Sequence, residues 1–245
     1  MKKLSFTLVF CFLIILTSYS QRENGITFLS SGTLMKNGML GIRDLTSKTN
    51  HSYNEWFNPA TNSKVEGSMF LDDDFHLGSM ILKSDTLVEG VKYRLNIFSK
   101  QMEMFFNNDT FALIHPEKIK NIDFDNKLFA YVGYEEDNKI DFDYFQVLAE
   151  GKCNLLMHYK VIIVPKNEPD TPLYTGSPND KFVQFKYYFY QKGGNPANLL
   201  SKKSKSILKL FSDKKMEVDQ YIKENNLKTS NDSDLVVIFQ YYNSL

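Results

Sequence analysis

Four histidines, His51, His76, His115 and His158, are the side chains best suited to hold a metal or move a proton near neutral pH. None stands in His-x-x-x-His or His-Glu-x-x-His spacing, so no helix turn would offer two imidazoles to one zinc ion. His115 precedes Pro116 at a strand end, and His158 falls on the more polar side of an alternating run. Both read as surface histidines; ligands converging from distant segments are the other reading. Asp72-Asp73-Asp74 lacks the spaced Asp-x-Asp-x-Asp-Gly pattern that wraps calcium, and reads as a solvated turn or edge. Glu135-Glu136-Asp137, with Asp141 and Asp143, flanks a hairpin. Paired carboxylates hydrolyse glycosides only at a fixed separation across a sugar cleft, and no such cleft is legible. There is no Gly-x-Ser-x-Gly elbow and no phosphate-binding Walker loop. The residues therefore assign no catalytic site, no metal and no cofactor.

Cys153 would be the only thiol left after the export processing described below. Cys153, Leu155, Met157, Tyr159, Val161 and Ile163 alternate with Lys152, Asn154, Leu156, His158, Lys160 and Ile162. Period two puts the first set on one strand face, so Cys153 is expected in a core rather than as a nucleophile.

The N-terminus carries Lys2-Lys3, an apolar run from Leu8 to Leu16, and the small-x-small exit Ser18-Tyr19-Ser20. That three-part order predicts an export signal cut between Ser20 and Gln21. The apolar run is shorter than the roughly 20 residues a spanning helix needs, so no membrane anchor is expected after cleavage. Phe10 before Cys11 is too bulky for a lipoprotein signal. Of 29 basic residues, two leave with the leader, so 27 face 29 acidic ones. A nearly neutral chain lacks the basic face that nucleic acid requires.

The elements that must position these residues read as sheet first and helices last. Fourteen tyrosines and twenty phenylalanines favour strands. Strands are expected at 67–71, 79–84, 91–98, 102–106, 110–114, 119–124, 127–134, 144–150, 152–164 and 182–191, with a short return near 197–200. Asn107-Asn108-Asp109, Asp125-Asn126, Glu150-Gly151 and Gly193-Gly194 supply the turns. Breaks this short force antiparallel neighbours, since a parallel return needs a dozen or more residues. Pro165, Pro169, Pro172 and Pro178 mark a connecting loop. Helical spacing predicts helices at 202–211, 214–225 and 233–243, with Lys202, Lys203, Lys205 and Lys209 on the wet side of the first. The fold class expected is α+β: an antiparallel β meander, curved or half-barrel, then a short helical segment. The domains are 1–20 as leader, 21–200 as sheet and 201–245 as helices.

Several stretches resemble a group of exported, functionally uncharacterised β-rich proteins common in Bacteroidetes. They are Glu66 to Leu71 with Asp73-Asp74-Phe75, Tyr93 to Phe98 with Met102-Glu103, Tyr144 to Leu148 through Lys152, and Lys181-Phe182-Val183 with Tyr187-Tyr188. Asp234-Leu235-Val236 and the closing Tyr241-Tyr242-Asn243-Ser244-Leu245 complete the set. The likeness covers roughly 66–245 and departs at Met69, where that group would carry proline. It implies a leader, a strand-rich body and a helical end, and brings no activity with it.

These readings favour an exported, non-enzymatic envelope protein that binds a ligand, such as an apolar small molecule, or another envelope protein. It would be periplasmic, outer-membrane-associated or secreted. The concave sheet face is expected to meet the helices as ordinary core. Two other classes stay open: a hydrolase with a carboxylate site on the loops at 72–74 and 135–143, and a surface adhesion protein.

Overall fold

In the computed structural model, residues 28–29, 44–48, 57–58, 63–166 and 179–245 are described. The leader, His51, Trp56 and most of the proline-rich loop fall outside them. The strands are β1 (Phe28–Leu29), β2 (Thr46–Lys48), β3 (Phe57–Asn58), β4 (Ser63–Glu66), β5 (His76–Leu82), β6 (Leu87–Asn96) and β7 (Gln101–Phe106), followed by β8 (Asp109–Leu113), β9 (Ile119–Phe124), β10 (Lys127–Glu136), β11 (Lys139–Ala149), β12 (Cys153–Val164), β13 (Asp180–Lys192) and β14 (Asn198–Leu199). Three helices follow: α1 (Ser204–Leu210), α2 (Lys215–Glu224) and α3 (Asp232–Ser244).

Local turn chemistry sets the meander. Asn107-Asn108, Asp125-Asn126 and Asp137-Asn138 all take positive φ, between 51° and 62°. Two such residues in a row make the hairpin turn whose twist matches that of its strands, and Asn and Asp tolerate it best among residues with side chains. The strand order is β2-β8-β7-β6-β5-β9-β10-β11-β12-β13-β4-β3, open at both ends. Pairing is antiparallel except where β4 meets β13 and β1 meets β6. The fold is α+β.

Two long-range clasps bend this sheet. The stretch 67–71, expected as a strand, makes only a single bridge, between Phe70 and Asn96. Gly67 at φ +86° and the Ser68 hydroxyl, which accepts from the Phe70 N–H at 2.9 Å, turn the chain there instead. The bend still ties β6 to β13. The Leu71 N–H donates to the Leu95 carbonyl at 2.9 Å, and the Gln184 amide donates to the Phe70 carbonyl at 2.7 Å. In the second clasp, β14 pairs with Phe189 and Tyr190 of β13. Its neighbour Ala197 exchanges bonds with Gly133 and Glu135 of β10 at 2.8 and 2.9 Å. Strands β10 to β13 thereby form a ring closed by β14.

Three cores follow from this shape. The wide curve of the sheet packs on itself through Met80, Tyr93, Leu95, Met102, Met104, Phe129 and Tyr144. The ring interior holds Val132, Tyr134, Phe145, Leu156, Phe189 and Ala197. The helices cover a third patch, Ala149, Cys153 and Leu155, with Ile207, Phe211, Val218, Leu235, Ile238, Phe239 and Tyr242. Leu235, Ile238, Phe239 and Tyr242 follow helical spacing along one face of α3. Helices this short are marginal alone, and burial worth roughly 1.5–3 kcal/mol per large side chain holds them down. The helices thus cover one end of the concave face; the rest needs no helix.

Candidate functional site

A cavity of about 210 Å³ opens where the 67–71 bend meets the curve of the sheet. The bend and the start of β5 contribute Leu71, Asp72, Asp74 and His76; the end of β6 contributes Arg94 and Leu95. The β9–β10 turn adds Phe124, Asp125 and Lys127, while Tyr159 and Lys186 reach in from β12 and β13. Leu95, Phe124 and Tyr159 are buried, whereas Asp74 and Lys186 are exposed at the opening.

Most charges here neutralise one another. The Arg94 guanidinium donates to Glu103 at 2.7 and 3.3 Å and to the Asp73 carbonyl at 2.8 Å. It also lies 3.7 Å from the Phe70 ring centre and 4.2 Å from that of Phe75, a stacking arrangement that fixes it in place. His76 Nε2 sits 3.1 Å from the Asp72 carboxylate, without hydrogen-bond alignment. The Asp74 backbone N–H, then His76, hold the Asp72 carboxyl below the usual carboxylate range. Lys127 bonds Asp125 and lowers that carboxyl too. Among the described residues, the Asp74 carboxylate and the Lys186 ammonium make no hydrogen bond or ion pair. The Lys186 ammonium lies 5.8 Å from the Tyr159 ring centre.

A second polar group fills the ring formed by β10 to β14. His158 Nε2 and Asp143 Oδ2 are 2.9 Å apart, and both side chains are buried. The imidazole stacks on Phe145 at 4.6 Å and meets Phe189 edge-on at 5.7 Å. His158 is therefore not at the surface: the side of β12 that reads as polar is the ring interior. His115 does remain partly exposed, against Glu117 at 3.0 Å. Lys100, from the β6–β7 turn, reaches Asp141 at 2.5 Å and donates to the Tyr134 hydroxyl at 3.2 Å. Burial works against its ammonium, but Asp141, Tyr134 and Asp143 outweigh it and raise the pKa. Burial pushes the Tyr134 phenol up to about 12, with Lys100 pulling the other way.

The two carboxylate groups of the loops stand in different places. Asp72 and Asp74 line the cavity, whereas Glu136 pairs with Lys160 at 2.9 Å and Asp141 with Lys100. Among the described residues no set of three or more His, Cys, Asp or Glu side chains is placed to hold a metal ion. Cys153 is fully buried under the helices, and burial pushes its thiol up to about 11, so it stays protonated and unreactive. The Tyr93 and Tyr144 hydroxyls are buried without a hydrogen-bond partner, and burial raises both pKa values. Sequence reasoning marked Asp72 and Asp74 but missed Arg94, Tyr159 and Lys186. The one available signal was Arg94, a lone cation in the otherwise uncharged run from Tyr93 to Phe98.

Comparison with known protein families, with curated proteins and with solved structures finds no match for this chain.

Proposed function

We propose that this chain is an exported, non-enzymatic binding module of the cell envelope whose cavity takes a small ligand without transforming it. The observation that carries this reading is the cavity itself, with a fixed, self-neutralised wall and an apolar floor. Such a wall is preorganised to hold a molecule. Among the described residues that line the cavity, no nucleophile is paired with a base, which argues against a hydrolase site at 72–74. At about 210 Å³ the cavity is smaller than the roughly 300–1,000 Å³ sites of drug-sized ligands. The basic, apolar and small-residue order of the first twenty positions, with the likeness to exported Bacteroidetes proteins, supports export to the periplasm, the outer membrane or beyond.

Thermal unfolding of the mature protein against a panel of small polar and apolar metabolites tests the binding reading. A ligand at a hundred times its Kd stabilises by about 2.7 kcal/mol. For a chain of this size that is a rise of roughly 5–10 °C in Tm. Leu71→Trp, which fills the cavity from a partly exposed wall, should abolish the rise. A Tm that nothing in the panel moves would refute the proposal. Mass analysis of the exported protein tests the leader, with Gln21 expected as first residue and Met1 the refuting result.

A further inference from the structure

We infer that the cavity selects a small zwitterion, namely a free α-amino acid with an apolar side chain. The inference rests on the binding reading above and narrows it to a ligand class. Arg94 is paired with Glu103 and Lys127 with Asp125, while the Asp72 carboxylate accepts from the Asp74 N–H at 3.0 Å and lies 3.1 Å from His76 Nε2. Among the described residues, the Asp74 and Lys186 side chains at the opening make no hydrogen bond or ion pair, and they carry one charge of each sign. Asp232 feels the field of Lys186 but is itself paired with Lys202 at 2.8 Å. An anion or a cation would match only one of the two groups, whereas a molecule carrying both an ammonium and a carboxylate offers a partner to each.

Size and lining agree with this class. At about 210 Å³ the space lies below the roughly 300–1,000 Å³ of drug-sized sites, too little for a nucleotide or a long acyl chain. Leu71, Leu95 and Phe124 supply an apolar floor for an alkyl side chain beneath the charged opening. A phosphate would need several convergent donors, but three of the five Arg94 N–H groups are already committed to Glu103 and the Asp73 carbonyl.

Titration calorimetry of the full mature chain with four probes tests this: L-leucine, L-leucinamide, N-acetyl-L-leucine and octanoate. L-leucine should bind one to one. Removing either charge should weaken binding at least about tenfold, the loss expected for one charge-assisted hydrogen bond. Asp74→Asn should erase the preference for L-leucine over N-acetyl-L-leucine, and Lys186→Gln the preference over L-leucinamide. Both side chains are exposed and unpaired, so neither variant threatens the fold. Equal binding of L-leucine and its capped forms would overturn the inference, as would octanoate binding where L-leucine does not. Either result leaves the binding module standing. Silence from all four probes overturns the inference alone, and the module falls only if the wider metabolite panel is silent too.

Discussion

Replacing Arg94 by methionine keeps an unbranched apolar stem, shortens the side chain and removes the cation paired with Glu103. Glu103 is fully enclosed, at 0% side-chain exposure against 13% for Arg94. Water cannot compensate a carboxylate placed there. Deleting one partner of a buried ion pair costs about 3–5 kcal/mol, because the other charge is left uncompensated. The guanidinium also gives up its places over Phe70 and Phe75, each worth about 0.5–2 kcal/mol, so the loss should fall at the upper end of that range. At roughly 2–4 °C per kcal/mol, Tm should drop by roughly 6–20 °C. Urea unfolding followed by circular dichroism reads the loss directly. Arg94→Met with Glu103→Leu should recover most of it, since a well-packed apolar pair often replaces a buried ion pair at no net cost. A single variant that loses less than about 1 kcal/mol, the range of an exposed pair, would refute the reasoning. A double variant worse than the single would refute it as well.

Asp72, Asp141 and Asp232 have lowered pKa values: Asp72 through the Asp74 N–H and His76, Asp141 through Lys100, and Asp232 through Lys202. Their contribution is full above the ordinary carboxylate value near 4 and is lost as pH falls through the lower folded values. The urea midpoint should therefore hold from about pH 7 to 5 and fall below about 4, by at most about 1 kcal/mol per exposed pair; a midpoint rising toward acid would contradict the pairing. Cys153 should resist iodoacetamide in the native state at pH 8 and react at once in urea; rapid native alkylation would remove it from the core. Asn243 accepts from the Cys153 N–H at 2.9 Å and donates to the Cys153 and Glu150 carbonyls at 3.0 and 3.3 Å. Asn243→Ala should cost about 2–3 kcal/mol, near 1 kcal/mol per bond. A Cβ on Gly151 would lie 2.5 Å from the Asn243 side chain, so Gly151→Ala should also destabilise. The double variant should then cost less than the sum, and strict additivity would deny the contact.

The hairpins were legible because Asn and Asp pairs mark left-handed turns without reference to anything distant. The hairpin beside Glu135-Glu136-Asp137 was expected, but its strands, expected at 127–134 and 144–150, run on to Glu136 and start at Lys139. Glu135, Glu136 and Lys139 extend the ladder, with Glu136 opposite Lys139. The helices were legible from spacing, and Asn231 caps α3, accepting from the Asp234 N–H at 3.0 Å. The closure by β14 was not legible, since a two-residue strand bridged to β10 through one alanine leaves no periodic trace. Alternation along β12 separated its two faces correctly but could not say that both are covered. This is why Leu156 and His158 are buried among Tyr134, Phe145 and Phe189. The cavity was least legible of all. Its lining comes from five separate stretches, and only the bend shared by β6 and β13 brings them together.

The clasps impose an order on folding. Each two-residue hairpin can form in about 1–10 μs from neighbours already at hand. The tie between Phe70 and Gln184 spans 114 positions, and that between Asn243 and Cys153 spans 90. Contacts so distant carry a larger loop-closure entropy and come late. A chain emerging N-terminus first has every hairpin formed before position 243 arrives, and until then Cys153 and Leu155 lack their cover. The thiol is therefore open to oxidants during folding and shut away from them once the last helix latches.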